Sequence, residues 1–201
     1  MKIGPRYKKA RYLGAPVFRK TQTQKFALRG EKKGRTPGRR GAKSEYGRQM
    51  LEKQKARFSY GVNGRQFTNY VMLALSSPGD NAKNLLRFLE SRLDNVVVRA
   101  GFAPTRSAAR QMVSHGHITV NGRIVKVPSF EARTGDLIAI REGSKSKAIF
   151  GKLDEELKAF KWPSWLSVDA AKKEIKISAE PSTDLSDLLF DVRQVLEFYT
   201  R

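Results

Sequence analysis

The dipeptide Asn121-Gly122 constrains this chain more than any other pair of residues. It stands between two β-forming runs, Ile118-Thr119-Val120 and Ile124-Val125-Lys126-Val127. A two-residue loop matches the right-handed twist of its strands best in a type I′ or II′ turn. Type I′ needs positive φ at both positions, which Asn and Gly tolerate best. The segment is therefore predicted to be a β-hairpin. What precedes it reads as a helix with both ends marked. The Thr105 hydroxyl can accept a bond from an orphan helix N–H, Ala108, Ala109, Met112 and Val113 recur at helical spacing, and Gly116 stops the helix. Thr134-Gly135-Asp136 then turns into Leu137-Ile138-Ala139-Ile140, a closing strand.

The polar side of this module carries its chemistry. Arg106 and Arg110 are four apart and share one helical face, opposite Met112 and Val113. Both side chains are expected to face out, so that reversing both charges would spare the fold. Gln111, Ser114 and His115 stand beside them, Asn121 is at the hairpin tip and Arg123 follows it. A rim of cations and donors of this kind suits a phosphate backbone.

Charge supports that reading. The net charge is +21, and it is graded along the chain: residues 1–60 hold 19 basic and 3 acidic groups, residues 61–150 hold 13 and 6, and residues 151–201 hold 8 and 10. One end is built for a polyanion. No apolar run approaches the ~18 residues of a membrane helix, and the basic end lacks the long amphipathic helix with bulky anchors that a membrane surface would need. The first residues, MKIGPRYKKARYLG, lack the apolar middle of a secretory signal. With no cysteine, disulfides and thiolate zinc sites are excluded. His115 and His117 have no third ligand nearby, so no metal is expected. GRRGAKS lacks the spacing of a phosphate-binding loop. Carboxylates are scattered, and Asp94, just after Arg92, reads as ordering a helix end. No nucleophile–base pair stands out, so neither catalysis nor a cofactor is expected.

Residues 1–44 read as a basic, extended arm without a core of its own. Lys2, Arg6 and Arg11 are interleaved with Tyr7, Tyr12 and Phe18; Arg35, Arg39, Arg40 and Lys43 follow among Gly and Pro. Such an arm orders on RNA, its cations on phosphates and its aromatic rings on bases. A helix from Ser44 to about Phe58 puts Tyr46, Met50 and Leu51 on one side. Arg48, Lys53, Lys55 and Arg57 point elsewhere and are candidates for RNA contact, as are Tyr46 and Arg65. Phe67, Tyr70, Val71 and Ala74 form a core-facing stripe, and Leu85, Leu86, Leu89 and Leu93 another. Beyond Arg141 the sequence predicts a short helix within residues 152–161 and a hairpin of residues 162–169 with 174–177. A last helix is predicted from Pro181 and Asp184, with Leu185, Leu188, Leu189, Val192, Val195, Leu196 and Tyr199 as one apolar stripe. Trp162 and Trp165 read as core or protein interface.

The run RLDNVVVRAGFAPTRSAARQMVSHGHITVNGRIV resembles the small RNA-binding domain named after the fourth protein of the small ribosomal subunit. The pattern is an RLD helix, a TR-x-x-AR helix, a VNG turn and a late GD-x-I strand. Upstream, SEYGRQMLEKQKARFSYGVNGRQFTNYV and TPGRRGA resemble the helical domain and the PG-x-x-G segment of the small-subunit ribosomal protein four family, and VRQVLEFYTR resembles its closing helix. Many bacterial members hold the arm with four cysteines on zinc; this chain resembles the zinc-free branch. The resemblance implies an α+β fold: arm 1–44, helical domain 45–91 completed by the C-terminal helix 180–201, and RNA-binding domain 92–179 with core motif 92–141. It implies a structural constituent of a cytoplasmic ribosome, rather than an organellar one. Such a protein binds small-subunit ribosomal RNA early, nucleates assembly where RNA helices join, and touches neighbouring small-subunit proteins, with an effect on translational accuracy. The alternative is a free RNA chaperone or a repressor of its own messenger RNA. The same module is found fused to pseudouridine synthases and aminoacyl-tRNA synthetases, whose catalytic domains would not fit in the residues that remain here.

Overall fold

The computed structural model describes residues 3–27, 44–151, 153–158, 160–182 and 187–200. The helices are α1 (Arg6–Leu13), α2 (Glu45–Tyr60), α3 (Gly64–Ser76), α4 (Asn81–Glu90), α5 (Leu93–Arg99), α6 (Arg106–Ser114), α7 (Leu153–Lys158) and α8 (Val192–Thr200). The strands are β1 (Ile118–Val120), β2 (Arg123–Ile124), β3 (Leu137–Ile140), β4 (Leu166–Asp169) and β5 (Glu174–Ile177). The architecture is α+β, in two compact units: Met1–Ala82 with Thr183–Arg201, and Lys83–Ser182.

In the first unit, α2 begins at Ser44, whose Oγ accepts the Gly47 N–H at 3.2 Å. It ends at Gly61, at φ 64° in the left-handed region that favours glycine. Two residues on, Asn63 caps α3 by accepting the Gln66 N–H at 2.7 Å. A stop and a start this close force α2 and α3 into a tight helical corner. The C-terminal α8 returns to this pair. Gln49 donates to Glu197 at 3.1 Å, the Tyr46 and Phe198 rings lie 5.4 Å apart, and the Thr68 and Tyr199 hydroxyls meet at 3.2 Å. α8 starts at Val192, later than the predicted start near Asp184. The cause is local: the Asp191 carboxylate accepts the Arg193 N–H at 2.9 Å and the Gln194 N–H at 3.4 Å, an N-cap that sets the first turn there. Leu189 precedes the helix and is 39% exposed, so the predicted single stripe is broken; Leu185 lies outside the described residues.

The arm, expected to lack a core, has a small one in its described part. Ala10, Leu13, Ala15, Val17 and Phe18 bury against Leu51 of α2, and the Phe18 and Phe58 rings lie 5.8 Å apart. Three larger apolar groups close in sequence, Leu13, Val17 and Phe18, outweigh the surrounding cations once α2 offers them a surface. Residues 28–43 lie outside the described residues.

The second unit is built round an antiparallel sheet of order β2-β1-β3-β5-β4. Asn121 and Gly122 both have positive φ, 50° and 78°, and Val120 pairs with Arg123 across them, as the hairpin reading requires. The Thr105 Oγ1 accepts the Ala108 N–H at 3.1 Å at the start of α6. At its end, Gly116 takes φ 70°, with its N–H on the Val113 carbonyl and the His117 N–H on the Met112 carbonyl. That double bond pattern is a Schellman stop. The core joins Leu93, Val96 and Val97 of α5 and Ala109 and Val113 of α6 to alternate strand positions, Ile118, Val120, Ile138, Ile140, Ile175 and Ile177. The predicted hairpin of β4 with β5 forms, and Trp165 is buried in this core.

β2 is shorter than its apolar run suggests. The chain leaves the sheet after Ile124, and the Phe130 and Pro128 carbonyls accept the Leu93 and Asp94 N–H groups at 2.8 and 3.0 Å. Arg92 gives α5 no side-chain cap, so these carbonyls satisfy its first N–H groups instead. Val127 is left 56% exposed as a result.

Candidate nucleic-acid interface

The second unit places a cationic rim at the end of α6. Gln111, Ser114 and His115 are exposed there, and so are Asn121 and Arg123 on the hairpin. Lys126, which the sequence reading passed over, joins them. Its Cε lies 3.3 Å from where a Cβ on Gly116 would stand, so the lysine stem crosses the helix stop. Gly116 thus serves twice, as a positive-φ stop and as the gap the return strand crosses. Asn121 is held rigidly: its Nδ2 donates to Asp136 at 2.8 Å and its Oδ1 accepts the Leu137 N–H at 2.9 Å. His117 faces inward instead. Its Nδ1 meets the Ser144 hydroxyl at 3.0 Å, and its ring stands edge-on to Phe150. Burial, then repulsion from Lys147, His115 and Arg141, holds its pKa below the usual imidazole range.

Arg106 and Arg110 do not simply face out. Arg110 donates through Nε and Nη2 to Asp94 at 3.0 and 2.6 Å, and Arg106 donates through Nε to Asn95 at 2.7 Å. Asp94 has no solvent exposure, while Arg110 keeps 30%. α6 packs against α5, and at that contact both guanidinium groups bind polar side chains of α5. The expectation that reversing both charges would spare the fold is therefore withdrawn. Arg110→Glu would set a second carboxylate against a buried one.

The first unit presents a separate set of cations. Arg6, Arg11, Arg48 and Arg65 are exposed. Lys53, Lys55 and Arg57 are engaged within the unit: Lys53 Nζ lies 4.2 Å from the centre of the Phe198 ring and 4.7 Å from that of Tyr199, Lys55 pairs with Glu52 at 2.6 Å, and the Arg57 guanidinium lies 4.6 Å from the centre of the Phe58 ring. Burial lowers the Arg57 pKa while Tyr199 raises it; an arginine so placed stays charged at neutral pH. Its buried Nε has no hydrogen-bond partner among the described residues, and an anion would supply one. Tyr46 is 52% exposed, with one face toward Phe198. Lys2, Arg35, Arg39, Arg40 and Lys43 lie outside the described residues.

Sequence reasoning also missed the groups behind the arginines. Glu90, Asp94, Asn95 and Arg92 are all buried. The available signal was two carboxylates four apart, Glu90 and Asp94, in a segment rich in Leu and Val, Leu85 to Val98. Among the described residues no group of three or more His, Cys, Asp or Glu could hold a metal, and no helix is long and apolar enough to cross a membrane. What remains is a fixed frame carrying cations and donors, which can bind a polyanion.

Two family models match the chain: the S4 domain over residues 91–138, and the ribosomal protein S4/S9 N-terminal domain over residues 1–90. Curated proteins named small ribosomal subunit protein uS4 are similar over almost the whole length. Those of Chromobacterium violaceum, Acinetobacter baylyi and Herpetosiphon aurantiacus are 43%, 41% and 40% identical; the matches cover 99%, 99% and 98% of this chain and 98% of each relative.

Proposed function

We propose a mode of action for a chain that, with these matches, belongs to the bacterial small-subunit ribosomal protein S4 family. It is a structural constituent of the small ribosomal subunit and not an enzyme. Its partners are ribosomal RNA and other ribosomal proteins, and its place is the ribosome of the bacterial cytoplasm. The finer reading is that it binds the 5′ part of the small-subunit RNA early, at a junction of several helices, and so nucleates assembly. Converging RNA backbones repel each other. Cations on a frame of fixed geometry neutralise them in one arrangement and leave the others unfavourable. Recognition of this kind reads RNA shape and backbone more than base edges. In this reading the acidic C-terminal part meets a neighbouring small-subunit protein, through which the chain contributes to translational accuracy.

The observation that carries the reading is the rim at the end of α6, where Ser114, His115, Asn121, Arg123 and Lys126 stand exposed on a doubly bonded helix stop and a two-residue hairpin. The test is equilibrium binding of the purified chain to naked 5′ small-subunit RNA across a salt series. With about six to ten phosphates engaged, affinity should fall by roughly 10³–10⁵ between about 50 and 200 mM salt. A flat titration refutes the reading. Footprinting the same complex tests the junction: protection should gather where helices meet, and protection spread evenly along single helices would count against it.

A further inference from the structure

Among the described residues, Glu90 and Asp94 are the carboxylates with no exposure to solvent, and RNA binding as described above makes no direct use of them. Each gathers arginines. Asp94 accepts Arg92 through Nε at 3.0 Å and Nη2 at 2.8 Å, and it accepts Arg110 through the same two nitrogens. Glu90 accepts Arg99 through Nε at 2.8 Å and Nη2 at 2.7 Å. Glu90 also accepts Asn95 Nδ2 at 2.6 Å, and Asn95 in turn accepts Arg106 Nε at 2.7 Å. Arg92 is buried, but Arg99 and Arg110 keep 32% and 30% of their side chains in solvent, and Arg106 is half-buried.

We propose that Glu90 and Asp94 are positioning residues for RNA: they grip Arg99 and Arg110 by the Nε edge, and Arg106 through Asn95, so that these planar groups meet phosphates already oriented. The proposal rests on the RNA-binding reading above. Stability alone is a weak reason for such carboxylates, because a buried ion pair is often no more stabilising than apolar groups of the same volume. They also subtract charge from a surface whose affinity grows with charge. What they supply is direction. An arginine on a free stem must give up its rotamers when it meets a phosphate, whereas one already gripped has lost them on folding. Charge is exchanged for geometry, and geometry is what separates a folded junction from any other RNA.

The test uses the full chain with Asp94→Asn and Glu90→Gln, each checked for folding by tryptophan fluorescence. Binding is compared on the 5′ small-subunit RNA and on an unrelated RNA duplex at the same salt. Affinity for the 5′ RNA should fall about two- to tenfold for each arginine released. Affinity for the duplex should hold or rise, since each change removes a negative charge. A purely structural role predicts an unchanged ratio in the folded variants, and that result overturns the proposal. Should either variant fail to fold, Arg110→Lys decides: it keeps the charge and loses the fork, and the same drop in ratio is expected. An unchanged ratio there also overturns the proposal. If the unaltered chain itself fails to prefer the 5′ RNA, the function reading falls, and the proposal falls with it.

Discussion

Reversing Arg110 alone, as Arg110→Glu, asks what the contact with Asp94 contributes to the second unit. The wild-type pair has two N–H groups on one carboxylate, at 3.0 and 2.6 Å. Hydrogen bonds to charged groups contribute about 1.5–3 kcal/mol. Two facts lower that value here: Arg110 is 30% exposed, so water screens it, and Arg92 still neutralises Asp94. Removal by Arg110→Ala should therefore cost about 2 kcal/mol. The glutamate adds repulsion. Unit charges 4 Å apart at an effective dielectric of about 20 interact by about 4 kcal/mol, part of which is relieved when the new side chain turns to water. A total of about 3–5 kcal/mol follows, the range for breaking a buried pair. In a unit of this size each kcal/mol moves the melting point by about 4–8 °C, so the shift should be at least about 12 °C. The chain has two tryptophans, Trp162 and Trp165, and both lie in the second unit. Tryptophan fluorescence during a thermal melt therefore reports this unit and not the other. Gln111→Glu is the control, one position along and exposed, with an expected change within about 0.5 kcal/mol. If Arg110→Glu melts within about 2 °C of the parent, the Asp94 contact is not holding α5 to α6 and the reasoning fails.

Two further outcomes can be checked on the same instrument. Asn121→Gly keeps the positive φ but removes both side-chain bonds to the Asp136–Leu137 segment, so it should cost about 1–2 kcal/mol, whereas an unchanged melt would show those bonds to be idle. The depressed His117 pKa makes the native state favour neutral imidazole. The unfolded chain binds the extra proton first, so the stability His117 contributes is intact above about 6.5 and is lost as pH falls towards the lower folded value. Melting points measured from about pH 7.5 to 5 should decline, and His117→Asn should flatten that decline; an equal decline in the variant would locate the effect elsewhere.

The parts of the fold legible in sequence are those set within a few residues. Thr105 caps α6, Gly116 stops it and Asn121-Gly122 turns the hairpin because each depends on its own dihedral angles and on bonds to near neighbours. The start of α8 was misjudged because the apolar spacing continues back to Leu185 while a single capping carboxylate, Asp191, sets the first turn. The arm's small core was missed because it exists only against Leu51 and Phe58, some thirty residues or more away. The rim followed from residue type and from place in the helix and turn. The grip on Arg110 did not: Asp94 is 16 residues distant, and only the packing of α5 on α6 brings them together. Helical spacing tells which residues share a face; it does not tell which face the neighbouring helix covers.

The first unit takes residues from both sides of the second, which has a bearing on how the chain is made. An elongating polypeptide adds residues 83–182 before residues 192–200 are made. The Gln49–Glu197 and Thr68–Tyr199 contacts must therefore wait until the whole intervening unit has been synthesised. A product released early by premature termination would present a finished hairpin and α6 but an unclosed α2–α3 corner, and that missing clasp would distinguish it from the complete molecule.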